Sequence, residues 1–184
     1  NLIQLVKPIN YKMITPKLKW IVNKEEDGHH SKIANILIKK NIVKKDSKIL
    51  GLSHYDKRII EELNRKKYKK TKIISLKKDF NEKNDSYRQE VIQNFLDKSQ
   101  AEVFIKKYGK YDILLCSKIL EHTHNLINFF KFAKIVLNVD GFIIVDVPDC
   151  EKSLIQGNVT MIWEEHVFYF IKKRNFSFDA TPGF

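Results

Sequence analysis

The fold of this chain is decided by residues 111–122, which have the sequence YDILLCSKILEH. Residues 113–116 form an apolar run that is short enough for a buried strand, and polar residues end it. A helix is predicted next, because apolar residues recur at the i, i+3, i+4, i+7 spacing of one buried face: Leu126, Phe129, Phe130, Ala133, Val136 and Leu137. A second apolar run covers 142–147 and stops at Pro148. The stretch therefore predicts a strand, a helix and a second strand.

The connection between the two predicted strands indicates how they pair. Residues 138–141, Asn-Val-Asp-Gly, predict a tight turn, since Asp-Gly favours such turns. A crossover of helix length implies that the two strands are adjacent and parallel. In such sheets ligands bind beyond the carboxyl ends of the strands. We therefore expect the chemistry of this chain at residues 117–124 and 146–150.

Composition indicates one globular domain. A chain of 184 residues can form one sizeable core, and 43% hydrophobic with 30% charged residues is typical of a soluble protein. No apolar run approaches the roughly 20 residues that cross a bilayer, so no membrane partner is predicted. The two cysteines, Cys116 and Cys150, argue against a disulfide framework and favour a reducing, cytoplasmic setting. Both are predicted to be small buried hydrophobic residues.

The net charge of +12 raises the question of a nucleic-acid partner. The excess is almost entirely lysine, because arginine occurs only at Arg58, Arg65, Arg88 and Arg174. Specific readers of bases and phosphates depend on arginine forks, and these lysines are dispersed. The charge pattern therefore argues against nucleic acid and is compatible with acidic small molecules such as nucleotide-linked metabolites.

The remaining elements extend the strand and helix alternation upstream. Residues 1–27 have no clear pattern and are assigned as an N-terminal extension, followed by a single domain over 28–184. The predicted strands are 48–52, 72–76 and 91–95, and the predicted helices run from the N-cap Ser31 to about Lys40, over 57–66 and over 99–108. A loop is predicted over 77–86, and 153–155 and 161–170 are predicted to be helical or irregular. The alternation predicts an α/β fold with a Rossmann-like, doubly wound, mainly parallel sheet.

Three stretches share their pattern with one family of enzymes. Residues 111–122 place a hydrophobic residue before Glu-His, residues 138–149 place a turn before a buried strand, and residues 162–170 read IWEEHVFYF. Over about 28–170 the chain resembles class I S-adenosylmethionine-dependent methyltransferases. It is most similar to bacterial members that act on sugars and on related polysaccharide or secondary-metabolite precursors. In that family the three stretches are the fourth strand with its loop, the turn with the fifth strand, and a Glu-His segment of the sugar enzymes.

The resemblance implies a cofactor site over the ends of the strands. It assigns S-adenosylmethionine binding to Gly51, Ser53, Asp79, Gln93, Ser117 and Leu120. The chain departs from the family at residues 51–56, GLSHYD, which keep only the first glycine of the usual Gly-x-Gly-x-Gly loop. It also lacks the acidic residue that usually ends the second strand. The residues at that place are Leu76-Lys77-Lys78, and the first acidic residue after them is Asp79.

The resemblance also implies an acceptor site over residues 146–166. His166 is assigned as the general base, because an imidazole with its ordinary pKa of about 6.5 suits proton removal near neutrality. Glu165 would orient that imidazole, and His122 is the third catalytic candidate. Glu121, Trp163 and Glu164 are assigned to substrate binding. Structural alternatives are a helical His166 satisfied by a carboxylate, a Glu121 that caps the following helix, and a Trp163 that anchors the core.

No metal site is predicted. His122 and His124 could combine with Asp146 and Asp149, but a His-x-His pair without a firmly placed third ligand is a weak signal. His29 and His30 are expected to be a solvated pair, with a lid over the pocket as the alternative.

The sequence as a whole predicts a methyltransferase that uses S-adenosylmethionine and acts on a sugar or nucleotide-sugar. One alternative is a degenerate, non-catalytic Rossmann domain with a binding or assembly role, and another is a basic nucleic-acid-binding protein. A complete class I domain adds two strands after the fifth. Because few residues follow Phe170, the fold is expected to lack its last strands at the C-terminus.

Overall fold

The computed structural model describes residues 2–4, 6–8, 10, 28–81, 89–158 and 166–172. The strands are β1 (Leu2–Gln4), β2 (Ile49–Gly51), β3 (Thr71–Ile73), β4 (Tyr111–Ser117), β5 (Leu137–Asp146) and β6 (Phe168–Phe170). The helices are α1 (Gly28–Lys39), α2 (His54–Arg65), α3 (Leu76–Phe80), α4 (Lys98–Tyr108), α5 (Leu126–Val136) and α6 (Glu151–Ile155). Two 3-10 helices cover Gln89–Phe95 and Leu120–His122.

Four of the strands form a parallel sheet in the order β3-β2-β4-β5. The strand, helix and strand predicted from residues 111–147 are confirmed as β4, α5 and β5. Strand β3 pairs with β2 on one side, and the next strand, β4, pairs with β2 on the opposite side. The strand order therefore reverses between β2 and β4, which is where ligands bind in open α/β sheets. This architecture confirms a mixed α/β fold with a parallel sheet and is compatible with a Rossmann-like fold.

The sheet separates two apolar layers. Along β4, Ile113 and Leu115 pack in one layer with residues of α1 and α2, whereas Leu114 and Cys116 pack in the other with residues of α4 and α5. Successive side chains of a strand point to opposite faces, so helices cover both faces of the sheet. This explains the nearly unbroken apolar run at 113–116, because the strand is buried on both sides.

Two helix starts differ from their predicted positions. Helix α1 begins at Gly28, so Ser31 lies inside the first turn and its assignment as N-cap is wrong. Of the added residues, His30 is buried, whereas Gly28 and His29 are exposed. Helix α2 begins at His54 rather than near residue 57, directly after its N-cap Ser53.

The segment between the second and fourth predicted strands is helical. Residues 91–95 lie in a 3-10 helix, so the predicted third strand is wrong. Ile92 and Gln93 are adjacent and both buried, and the side chain of Asn94 bonds to the backbone after β4, which holds the segment at the end of the sheet. Residues 76–80 form helix α3 where a loop was predicted, capped by the Ser75 hydroxyl, which accepts from the Lys78 amide at 3.3 Å.

The predicted turn at 138–141 lies within β5. Tyr111 pairs with Leu137, but the next pair is Ile113 with Phe142, so the extra residues of β5 bulge out of the ladder. A Cβ atom on Gly141 would lie 3.0 Å from the Asn138 carbonyl oxygen, which explains the glycine. The chain therefore bends where Asp-Gly predicted a bend, but it remains in the sheet.

A second, two-stranded sheet joins distant parts of the sequence. Strand β1 pairs antiparallel with β6, so residues assigned to an extension contact the end of the described chain. Strand β6 falls in 161–170, which was predicted to be helical or irregular. Each strand has three residues, too few to give a periodic pattern. Within the described residues, no helix combines the length and apolar character required to cross a bilayer.

The fold predicts a large loss of stability when Phe104 is shortened. This side chain of α4 is fully buried in the layer that also holds Tyr111. Phe104→Ala is expected to lower the free energy of unfolding by about 3–5 kcal/mol through lost burial and a cavity. The control Val103→Ala, on the exposed side of the same helix, is expected to change it by less than about 0.5 kcal/mol. Urea denaturation of the two variants measures the difference, and equal effects would contradict the packing.

Candidate functional site

The carboxyl ends of β2, β4 and β5 lie at one edge of the sheet. Gly51 pairs with Leu115, and Ser117 pairs with Asp146, so the three strands end near the same level. The Lys118 amide donates to the Asp146 carbonyl oxygen at 2.7 Å and keeps the loop after β4 against β5. The loops that follow these strands therefore form one surface, which we call the carboxyl edge.

One side of the carboxyl edge carries a cluster of three polar side chains. The 3-10 helix after β4 buries Glu121 and His122. The Val167 amide donates to the Glu121 carbonyl oxygen at 2.7 Å, which brings His166 to the same place. The rings of His122 and His166 lie edge to face with their centroids 4.8 Å apart. One ligand-type atom from each of Glu121, His122 and His166 lies within 4.8 Å of the other two. We call these three residues the Glu-His-His cluster.

The backbone under this cluster is held by Asn94. Its Nδ2 donates to the His122 carbonyl oxygen at 3.1 Å, and its Oδ1 accepts from the His124 amide at 2.8 Å. The Thr123 hydroxyl donates to the Ile119 carbonyl oxygen at 3.2 Å and is fully buried. The loop after β4 is therefore tied both to itself and to the neighbouring 3-10 helix. This explains how a 3-10 helix of only three residues presents two side chains in a defined geometry.

The electrostatics of His166 differ from the sequence expectation. Burial, and secondly the nearby His122, together lower the pKa of His166 to about 4. The expected pKa near 6.5 is therefore not what this environment provides. At neutral pH the imidazole is uncharged, which is the form that can accept a proton.

Part of the predicted acceptor site lies outside the described residues. Trp163, Glu164 and Glu165 are in this category, so their assignments to substrate binding and to orienting the base stay predictions. The assignments of His166, His122 and Glu121 also stay predictions, but the structure brings these three together. His166 lies far from Glu121 and His122 in the sequence, so the spacing of residues could not predict that the three side chains meet.

The other side of the carboxyl edge is organised by Asp56, which the sequence analysis missed. Its Oδ2 accepts from the amides of Leu52 and Ser53, each at 2.9 Å, and its Oδ1 accepts from the Ser117 amide at 3.1 Å. The Ser53 hydroxyl donates to the Ser117 carbonyl oxygen at 3.2 Å. Burial raises the pKa of Asp56 to about 6, although these hydrogen bonds lower it in part. The available signal was Ser-x-x-Asp before an apolar helix, the pattern of a helix N-terminus.

Gly51, Ser53 and Ser117 therefore have structural contacts at the positions assigned to the cofactor. A Cβ atom on Gly51 would lie 2.9 Å from the Asp56 Cβ and 2.9 Å from the Ile60 Cδ1, so glycine lets α2 pack on β2. Ser53 and Ser117 bond to each other and to Asp56. Their assignment to cofactor binding stays a prediction, and in the structure they hold the ends of β2 and β4 together.

Asp79 is engaged within the fold. Its Oδ1 accepts from the Lys72 ammonium at 3.0 Å and from the Tyr108 hydroxyl at 2.7 Å, and its Oδ2 accepts from the Ser75 amide at 2.9 Å. Burial raises the pKa of this carboxyl group, but the hydrogen bonds and the Lys72 charge outweigh it and lower the pKa overall. Asp79 thus joins β3 to α4, and its role toward a ribose stays a prediction.

Gln93 has an unusual environment. The residue is 2% exposed, and neither its Nε2 nor its Oε1 has a hydrogen-bond partner in the described part of the chain. A buried amide without partners costs free energy, so such groups in proteins usually meet a ligand or a water. Leu120, the last residue assigned to the cofactor, is also buried, at the start of the 3-10 helix after β4.

A cavity of about 190 Å³ is lined in part by the residues that directly follow Gln93 in the sequence. It is bounded by α3, the 3-10 helix before α4 and the first turn of α4, and its lining combines apolar and polar side chains: Leu76, Phe80, Asn94, Phe95, Asp97 and Gln100. Asn94 connects this cavity to the backbone of the Glu-His-His cluster. The cavity and the cluster are therefore linked through Asn94, which lines the cavity and bonds to the His122 carbonyl oxygen.

The remaining histidines do not form the metal set considered from the sequence. His29 Nε2 lies 2.9 Å from Asp146 Oδ2, so the first turn of α1 reaches the carboxyl edge, and His30 is buried. The expectation of a solvated pair is therefore wrong for His30, which is buried, whereas His29 is exposed. His124 is half-buried, and burial lowers its pKa. Among the residues that the structure describes, the three side chains that could share an ion are those of the Glu-His-His cluster.

The two cysteines are free and buried, as predicted. Burial raises the pKa of the Cys116 thiol well above its ordinary value, and it also raises that of Cys150. Both sulfur atoms are therefore protonated at neutral pH and are poor nucleophiles.

Comparisons with known proteins do not assign this chain to a family. A scan against protein-family models found no match. A search of curated proteins found no similar sequence.

The raised pKa of Asp56 predicts a pH-dependent difference from the variant Asp56→Asn. The folded protein binds the Asp56 proton more tightly than the unfolded chain, so its contribution is most favourable below pH 4 and is lost as pH rises to about 6. Over this range, the free energy of unfolding of wild type is therefore expected to fall by about 3 kcal/mol relative to that of Asp56→Asn. Urea denaturation at pH 4 and pH 7 measures the change.

Asp79→Asn provides a control of opposite sign. Because the pKa of Asp79 is lowered, wild type should gain stability relative to this variant as pH rises through the acidic range up to the ordinary carboxyl pKa of 3.8, and this gain is fully present at pH 7. This variant is therefore also measured below pH 3.8. The same sign for both variants would contradict the assigned environments.

Proposed function

We propose that this chain is a methyltransferase that uses S-adenosylmethionine and methylates a small molecule, with a sugar or nucleotide-sugar as the acceptor. The observation that carries the proposal is the grouping of His166 with Glu121 and His122 at the carboxyl edge. These residues come from two of the stretches on which the resemblance to class I methyltransferases rests. The parallel sheet order and the reversal between β2 and β4 support a ligand crevice at the same edge.

The cavity beside Asn94 supports a place for the adenine ring. Leu76, Phe80 and Phe95 line the cavity with apolar side chains that a flat ring could contact, and Gln100 offers an amide to its edge. Both amide atoms of the Asn94 side chain are bonded to the backbone of His122 and His124, so Asn94 shapes the cavity. Gln93 lies next to this lining in sequence with an amide that lacks a partner. An adenine ring presents donors and acceptors around an apolar face, so these residues fit it. When bound, the cofactor would supply a sulfonium methyl group to a nucleophile of the acceptor.

His166 would remove the proton that the acceptor loses as the new bond to the methyl carbon forms. Its imidazole is uncharged at neutral pH, and its proximity to Glu121 and His122 places it in a partly water-excluded site. Much of the remaining acceleration would come from positioning the acceptor in line with the methyl group. The net charge of +12 favours an acceptor that carries phosphate.

One observation favours the alternative of a non-catalytic Rossmann domain. Only Leu52 and Ser53 separate β2 from α2, and the Asp56 carboxylate accepts from the amides of both. A carboxylate from the protein thus occupies amides that a glycine-rich loop would leave for a cofactor. Binding of S-adenosylmethionine distinguishes a methyltransferase from this alternative, and calorimetry that detects no binding at millimolar cofactor would contradict our proposal.

Removal of the His166 imidazole should separate catalysis from cofactor binding. For His166→Ala we expect methyl transfer to fall by about 100-fold or more, since general bases contribute at least that much. The affinity for S-adenosylmethionine should stay within about twofold, because the cavity assigned to adenine is lined by other residues. Release of S-adenosylhomocysteine from a panel of nucleotide-sugars measures the rate, and calorimetry measures the affinity.

The matched control for this experiment is His124→Ala, which removes a nearby half-buried imidazole outside the Glu-His-His cluster. It should retain the wild-type rate. An equal loss in both variants would mean that His166 has no special role.

The adenine assignment predicts the effect of Phe80→Ala. Loss of one aromatic face should weaken S-adenosylmethionine binding about tenfold, which corresponds to the upper range for aromatic contacts. Phe130→Ala is the control, because Phe130 is also partly buried against the same apolar layer but lies on α5, away from the cavity. Calorimetry on both variants tests the assignment. Unchanged affinity in Phe80→Ala would place the adenine ring elsewhere.

A further inference from the structure

We propose that the Glu-His-His cluster is a binding site for a divalent transition-metal ion, with Glu121, His122 and His166 as its three protein ligands. This inference goes beyond the proposed methyl transfer and does not depend on it. It rests on the convergence of two imidazoles and one carboxylate whose ligand atoms all lie within 4.8 Å of one another.

The chemistry of the three groups fits such an ion. Two histidines and one carboxylate are the protein ligands of many catalytic zinc sites, which keep a further position for water or substrate. The same set on one face of the ion binds Fe²⁺ and related ions that favour higher coordination. Lysine, whose ammonium would repel an ion, is absent from the cluster. The donor set therefore selects a first-row transition metal over Mg²⁺ or Ca²⁺, which favour oxygen ligands.

The distances require only small movements. If the three ligand atoms were each 4.8 Å apart, an ion at the centre of their triangle would lie about 2.8 Å from each atom. Zinc bonds to nitrogen and oxygen are about 2.0–2.2 Å long. Each ligand atom must therefore move by less than about 1 Å, which side-chain rotation can supply. His166 is the ligand with most freedom, because it is half-buried whereas Glu121 and His122 are buried.

The backbone holds the ligands in place from three directions. Asn94 fixes the His122 carbonyl, and the Val167 amide fixes the Glu121 carbonyl next to His166. Strand β6, which directly follows Val167, is itself paired with β1. These contacts fix the backbone from which Glu121, His122 and His166 project, so the three side chains start from defined positions. The cluster is therefore a built arrangement and not a chance approach of surface side chains.

Burial also favours an ion at this place. Glu121 is 3% exposed and His122 is 7% exposed, so the carboxylate and the imidazole are largely removed from water. A carboxylate in such a setting is stabilised by a positive partner, and a divalent ion provides one.

An ion at this site would change the chemistry of the carboxyl edge. A ring nitrogen of His166 that binds the ion cannot accept a proton at the same time. The ion-loaded protein would instead offer the open coordination position to an oxygen of a small molecule and lower the pKa of a bound hydroxyl or water. The acceptor is thus expected to meet an uncharged imidazole in the ion-free protein and an open coordination position in the ion-loaded protein.

Zinc and cobalt binding to the full chain, free of any histidine tag and stripped with chelator, tests the proposal. Calorimetry with ZnCl₂ should show one equivalent bound with a dissociation constant in the micromolar range or below. CoCl₂ should give visible absorption bands from nitrogen and oxygen coordination. His166→Ala and Glu121→Gln should each weaken binding at least about 100-fold, since even outer partners of metal ligands contribute 10–100-fold. No cofactor is present in these measurements, so their outcome is separate from that of methyl transfer.

The matched control is His54→Ala, which removes an exposed imidazole at the start of α2 and should bind zinc as wild type does. Circular dichroism checks that each variant is folded. Because a buried-ligand variant could fail to fold, zinc K-edge absorption on the wild-type protein provides a second measurement and should show scattering from two imidazoles. Absence of stoichiometric zinc binding, loss in His54→Ala equal to that in His166→Ala, or a zinc spectrum without imidazole scattering would overturn the proposal.

Discussion

The buried carboxylate of Asp56 is the constraint on which the carboxyl edge depends. It accepts hydrogen bonds from amides at the end of β2 and from the first residue past the apolar run of β4, so one side chain joins the two central strands where they end. The carboxylate lies fully inside the protein, and its raised pKa reflects the desolvation that this position costs. The carboxylate accepts from the Ser53 and Ser117 amides, and it shares the Leu52 amide with the Leu115 carbonyl oxygen, which lies 3.3 Å from that amide nitrogen. Gly51 is part of the same constraint, since a side chain there would displace Asp56.

The candidate site is assembled by segments that join this edge from elsewhere. The loop after β4 supplies Glu121 and His122, the segment before β6 supplies His166, and Asn94 connects both to the cavity near α3. None of these segments is a long helix or strand. Their positions depend on a few hydrogen bonds between segments, namely those of the Asn94 side chain and that from the Val167 amide to the Glu121 carbonyl oxygen. The site is thus more sensitive to its supporting contacts than the sheet beneath it.

Elements with a strong local pattern were predicted well, and those with weak patterns were not. Strand β4 was predicted from its apolar run and is buried on both faces. In helix α5, Phe129, Ala133 and Val136 are buried as predicted, whereas the buried Phe132 was not predicted and Leu137 belongs to β5. Helix α4 lies close to its predicted bounds. Residues 91–95 resemble a strand in composition, but the side chain of Asn94 holds them in a 3-10 helix by bonding to a distant loop. Strands β1 and β6 are too short to carry any pattern, and only their mutual pairing defines them.

Local patterns in the sequence predict most of the alternation of strands and helices, the parallel pairing of β4 with β5, and the edge at which polar residues collect. These features follow from local apolar periodicity and from the geometry of a helix-length crossover. Only the tertiary structure decided that His166 lies beside His122, that Asp56 binds the strand ends, and that Asp79 is held by Lys72 and Tyr108. Contacts between residues far apart in the chain leave no periodic trace, because they depend on how the packed layers bring loops together.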